Sequence, residues 1–157
     1  MLNAAQMRLL PPCFKMIPDP RRSQGLRHRL HVVLAIAAGA TLCGMQCAYY
    51  SCAGGYKAIS DWADALGQQA RERFDCRREN GRYVVPSESV IRDCLVRIEP
   101  RMLDGGLNAW NQAWGAHDKA LAIDGKTMKN ALDEEGDQAH IMSAVGHESK
   151  RSYAQKK

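Results

Sequence analysis

The sequence predicts a mainly α-helical protein that turns to short β-strands after residue 117. Three observations carry that prediction. Val32 to Tyr56 holds no charged residue and opens on a long apolar run. Two later segments repeat apolar residues at helical spacing, and beyond His117 the apolar runs shrink to a few residues between charged ones. Hydrophobic residues make up 45% of the chain and charged residues 25%, a balance that excludes intrinsic disorder and permits a packed core. With only 6% aromatic residues, that core must rest on aliphatic side chains and on Trp62, Trp110 and Trp114 as anchors.

Residues 1–26 form a basic arm punctuated by Pro11, Pro12, Pro18 and Pro20, where regular helix is not expected. Residues 27–117 form a helical domain. Its first helix runs from Arg27 to about Gly44, is apolar nearly all round, and should be central. Its small residues, Ala35, Ala37, Ala38, Gly39 and Ala40, let neighbours approach closely. Tyr56, Ile59, Trp62, Ala63 and Leu66 mark a second helix, with Gly67 as its stop. From Gln68 to Arg82 the charged sequence predicts a helix end and an exposed loop.

Ser87 is placed to cap a third helix, with Glu88 in its first turn. Val90, Ile91, Cys94, Leu95 and Ile98 share one face; Arg92, Asp93 and Arg97 share the other. After Pro100 a fourth helix carries Leu103, Leu107, Trp110 and Trp114 on one stripe, despite the unfavourable Gly105-Gly106 pair. Residues 118–157 open a different domain. Ala120 to Ile123 predicts a buried strand, Asn130 to Gln138 an acidic turn, and His140 to Val145 the second strand of a β-hairpin. A third strand begins in the tail.

The formal net charge is +5, and its distribution is uneven. Residues 1–31 carry Arg8, Lys15, Arg21, Arg22, Arg27 and Arg29 against the single acid Asp19. Such an arm can neutralise phosphates and release counterions, or be a solvated terminus. The six cysteines form no C-x-x-C pair, so reduced, buried thiols in a cytoplasmic protein are expected rather than a zinc site. The apolar run after Val32 falls short of the roughly 20 residues a membrane span needs, so no membrane partner is expected.

Three passages together resemble the H-repeat-associated (ISAs-type) group of insertion-sequence DDE transposases. They are I-P-D-P-R-R-S-Q-G-L-R-H-R-L from Ile17 to Leu30, P-S-E-S-V-I-R-D-C-L from Pro86 to Leu95, and A-I-D-G-K-T-M-K from Ala122 to Lys129 followed by H-I-M-S-A-V. The resemblance covers nearly the whole chain, in family order. It implies a helical N-terminal domain followed by the first strands of an incomplete ribonuclease-H-like α/β catalytic domain. Asp124 matches the first of the family's three carboxylates, which together hold two divalent metals, usually magnesium.

Two metals roughly 4 Å apart stabilise the entering and leaving oxygens of phosphodiester cleavage and strand transfer, so one carboxylate is not enough. Asp133, Glu134, Glu135 and Asp137 do not match the later family acids. The expectation is therefore a truncated chain, inactive by itself, with Asp124 its catalytic and metal-binding candidate. Arg21, Arg22, Arg27 and Arg29 are the expected contacts to DNA phosphates at the element ends. Arg92 and Arg97 join them if the Ser87 helix belongs to a helix-turn-helix, with a solvated charged face as the alternative. Lys126 is either a phosphate contact or a solvent-facing lysine. Three alternatives stay open: a DNA-binding fragment that associates with an intact transposase or forms homo-oligomers, a non-functional remnant, and an unrelated helical regulator.

Overall fold

The computed structural model describes residues 2–22, 26–45, 53–114, 121–132, 138–146 and 152–156. Its mainly helical character is as predicted. The chain divides into two compact units, Met1–Gly106 and Leu107–Lys157.

The first unit begins with a helix where the prolines predicted none, which corrects that expectation. Helix α1 spans Ala4–Cys13. Asn3 starts it with a capping box: its carboxamide oxygen accepts the Gln6 N–H at 2.9 Å, and its own N–H donates to Gln6 Oε1 at 2.9 Å. A proline costs a helix one hydrogen bond and a steric clash. Pro11 and Pro12 lie in the last turn, and Leu10, Pro11 and Phe14 are fully buried. Burial against the neighbouring helices offsets the proline penalty.

Helix α2, Leu30–Leu42, is the centre of the unit, as its apolar composition requires. Leu30, every residue from Val32 to Ala37, Gly39 and Ala40 are buried, and α2 packs against α1 and two helices described next. It closes at Gly44, whose φ of +85° is a left-handed conformation that favours glycine. These two are α3, Ala53–Ala65, and α5, Glu88–Arg97. Helix α5 begins after Ser87 as predicted and buries Ile91 and Cys94. Ser87 makes no capping bond, however; its hydroxyl lies 3.0 Å from that of Ser89.

The segment predicted as a helix end and an exposed loop holds a further helix and a hairpin, and α3 ends at Ala65, just before Gly67 as predicted. Gly67 is the N-cap of α4, Gln68–Arg73. After α4, Phe74 and Cys76 are buried and Arg78–Glu79 (β1) pairs with Arg82–Tyr83 (β2). Asn80 and Gly81 connect them with φ of 48° and 80°, the two positive values a tight hairpin turn of this hand requires. The Asn-Gly pair was the available signal. Arg71 holds the hairpin in place: Nη1 donates to the Tyr83 carbonyl at 3.1 Å, Nε to that of Leu66 at 2.9 Å and Nη2 to that of Asp64 at 2.8 Å. Gln68 adds two bonds to the Tyr83 backbone.

Helix α6, Pro100–Trp114, starts with proline at its first position, where the missing N–H costs nothing. Its two glycines differ. A Cβ on Gly106 would lie 2.6 Å from Phe14 Cδ1 and 3.1 Å from the Cys13 carbonyl oxygen, whereas one on Gly105 would meet nothing within 4 Å. Gly106 thus admits the Phe14 ring. Gly105→Ala is expected to stabilise by up to about 1 kcal/mol, the helix-propensity gain. Gly106→Ala is expected to destabilise by about 1–3 kcal/mol, because overpacking outweighs that gain. Urea unfolding of the two variants checks this, and equal effects at both positions would refute the packing role.

In the second unit, β3 (Leu121–Leu132), β4 (Gln138–Gly146) and β5 (Ser152–Lys156) form an antiparallel sheet in the order β3-β4-β5. The predicted hairpin is present and so is the third strand. The strands run further than predicted, to Leu132 and from Gln138, which shortens the expected acidic turn; residues 133–137, with their four acids, lie outside the described residues. The expectation of a buried strand is corrected: Ile123 is 72% exposed and Met142 58%. The short apolar run sets extended conformation, not burial, since a sheet has two faces.

Candidate nucleic-acid interface

The arginines expected to contact DNA separate into three environments. Arg21 is a clamp. Its side chain keeps only 6% exposure, and it grips Asp19 through Nε to Oδ1 at 2.9 Å and Nη2 to Oδ2 at 2.7 Å. The same Nη2 donates to the His28 carbonyl at 2.7 Å. This Arg21 pairing holds the Asp19 carboxyl below the ordinary aspartate range. Asp19 and Arg21 thereby tie the D-P-R-R segment to the residues just before α2.

Arg92 and Arg97 sit on the outer face of α5, around a shallow concavity lined by Ser87, Glu88, Ser89, Asp93 and Val96 as well. Arg97 Nε donates to Asp93 Oδ1 at 2.6 Å. Two arginines face two acids there, so the local charge nearly cancels.

The third environment is a cleft of about 400 Å³ beside the start of α2. Arg27, His28 and Arg29 line one side and Asp75, Cys76, Arg77 and Arg78 the other, with Leu26 and Val32. Four arginines face one aspartate. Asp75, at a φ of 59°, turns the chain between Phe74 and β1, and its Oδ2 lies 3.2 Å from His31 Nε2, which joins the two sides. Arg77 pairs with Glu79 at the edge. Arg27, Arg29 and Arg78 are exposed and have no ion-pair partner among the described residues. Arg22 is also exposed. Sequence reasoning found Arg27 and Arg29 and missed His28, Arg77 and Arg78, since nothing local shows that the two segments meet.

Burial pushes the His28 imidazole below its ordinary value, and Arg77 and Arg21 add to that. The thiols of Cys76 and Cys94 are pushed up by burial to about 12 and about 11, so neither is a thiolate near neutral pH. Cys47 and Cys52 lie outside the described residues.

Asp124 is in the second unit, within β3, opposite Ser143 on β4 and exposed. It is a strand residue rather than a turn acid. Lys126 is also within β3, opposite Ile141; its side chain lies outside what the structure describes. Gly125 has no positive φ, and a Cβ there would meet nothing within 4 Å, so no backbone requirement explains it. Among the described residues, no three of His, Cys, Asp and Glu gather to hold a metal. One exposed carboxylate does not make a two-metal centre. Among the described residues, no helix is long and apolar enough to cross a membrane.

Residues 12–111 match the family model described as DDE_Tnp_1-associated. The match takes in the D-P-R-R and P-S-E-S passages and the whole basic cleft, but stops short of Asp124. No curated protein and no solved structure matches the chain.

Proposed function

The chain belongs to the DDE_Tnp_1-associated family, which gives it a transposase-related function, and from that premise we propose that it is the DNA-engaging N-terminal portion of an insertion-sequence transposase. The match across residues 12–111 carries the proposal. The arginine-lined cleft supports it, because a cluster of guanidinium groups suits backbone phosphates. DNA at the element ends is the partner. We assign phosphate contact to Arg22, Arg27 and Arg29, and a positioning role to Arg21, whose donors are already engaged within the protein.

In this proposal the three-strand meander opens a ribonuclease-H-like catalytic domain, with Asp124 on the first strand as the first of three carboxylates. Magnesium binds only when two further acids join Asp124. The chain alone then neither cleaves nor joins DNA.

Fluorescence anisotropy with a duplex carrying a terminal inverted repeat tests the reading. Affinity is expected to fall steeply with salt, and Asp124→Ala is expected to leave it unchanged. Salt-independent binding, or none at low salt, would sink the DNA-engaging role. Magnesium-dependent nicking by the 157-residue chain, abolished by Asp124→Ala, would sink the expected inactivity.

A further inference from the structure

We infer that the cleft between residues 26–32 and 75–78 is a built anion site that seats one phosphate group. Its identification with a backbone phosphate of DNA rests on the function proposed above. Three observations converge. The lining carries four arginines against one aspartate, and the arginine fork matches phosphate oxygens two at a time. Arg29 is the N-cap of α2, a 13-residue helix with no side-chain cap, and Val32 lies in its first turn. The positive end of the helix dipole therefore lies at the cleft.

The third observation concerns polar atoms left without partners. Among the described residues, His28 Nδ1 and Arg77 Nε are buried and make no hydrogen bond, and they are the buried side-chain atoms for which this holds. Both residues line this cleft. A buried polar atom left unpaired costs about 1–3 kcal/mol; Arg77 Nε–H is a donor that calls for an acceptor, and His28 Nδ1 becomes one when the imidazole is protonated. A phosphate supplies acceptor oxygens and negative charge together. The cleft volume of about 400 Å³ falls within the roughly 300–1,000 Å³ of small-ligand sites. A group carried on a polymer or a free ion both fit this chemistry.

The walls are held in place by the protein's own contacts. Arg21 fixes the His28 backbone, His31 meets Asp75, and Arg71 and Gln68 hold the hairpin that carries Arg77 and Arg78. A preformed site loses little entropy on binding.

The test uses the full chain, the Arg29→Gln/Arg78→Gln double variant and Arg92→Gln as a control outside the cleft. Inorganic phosphate is titrated calorimetrically, while NMR follows the His28 imidazole. Phosphate is expected to raise the His28 titration midpoint, since an anion opposes the effects of burial, Arg77, Arg21 and Arg27 and adds to that of Glu79. The double variant is expected to lose about tenfold or more in phosphate affinity. With a short DNA duplex, the slope of log affinity against log salt is expected to shrink by about 1 in the double variant and not in Arg92→Gln.

Unchanged phosphate affinity and salt slope in the double variant would overturn the site while leaving DNA binding elsewhere intact. Phosphate binding that depends on the two arginines, with no duplex binding at low salt, would support the anion site with free phosphate as its ligand. That outcome would refute the DNA reading alone.

Discussion

Phe74→Ala is expected to cost the helical unit about 3–5 kcal/mol. Phe74 is fully buried and meets Trp62 edge to face at 5.9 Å between ring centroids. Its ring lies so close to α2 that a Cβ on Gly39 would sit 2.9 Å from its Cζ. The surroundings are held by the α2 backbone and cannot collapse far, so truncation leaves a cavity. The same contact predicts a dependence between positions. Gly39→Ala alone should destabilise by about 1–3 kcal/mol, because overpacking exceeds the roughly 1 kcal/mol gain in helix propensity. In the Phe74→Ala background the same change should stabilise, since the methyl group then enters the vacated space. A double-mutant cycle by denaturant unfolding measures this. Additive effects would show that ring and glycine are not in contact.

That contact marks where sequence pattern stops being informative. Helices α2 and α5 were legible, because burial on one face or all round leaves a periodic apolar signature at Val32 to Ala40 and at Ile91, Cys94 and Ile98. Helix α1 is masked in the sequence by Pro11 and Pro12, although the Asn3 and Gln6 pair that caps it is a sequence signal. The hairpin was likewise announced by Asn80-Gly81 and obscured by surrounding charge. Other features had no local trace. Gly106 looks like a weak helix residue until Phe14, far earlier in the chain, is seen filling its place. The cleft exists only because α2 brings residues 27–29 against residues 75–78. Arg21 and Arg22 are adjacent and chemically identical in sequence, yet one is clamped and the other exposed. Charge composition identifies a basic surface; which cations remain available to a ligand is decided by tertiary pairing.

Asp19→Ala turns that distinction into opposite expected results. If Arg21 were a phosphate contact held back by Asp19, removing the acid would free a cation and tighten DNA binding. If Arg21 is the clamp described above, removing its carboxylate loosens the His28 backbone and disorders one wall of the cleft. The structure supports the clamp, so duplex affinity is expected to fall about three- to tenfold although the net charge rises by one. Stability should fall as well. Breaking a fully buried ion pair costs about 3–5 kcal/mol; Asp19 keeps 28% exposure, so about 2 kcal/mol is expected here. The pH dependence identifies the charge as the cause. The folded Asp19 carboxyl lies below its ordinary value because Arg21 binds its ionised form. Its stabilising effect is therefore complete above the unfolded value near 4 and is lost as pH falls through the lower folded value. Unfolding free energies of parent and variant should differ at pH 7 and converge under acid conditions below that range. A difference that persists unchanged there would assign the effect to packing instead. Tighter duplex binding by the variant at pH 7 would return Arg21 to the DNA surface.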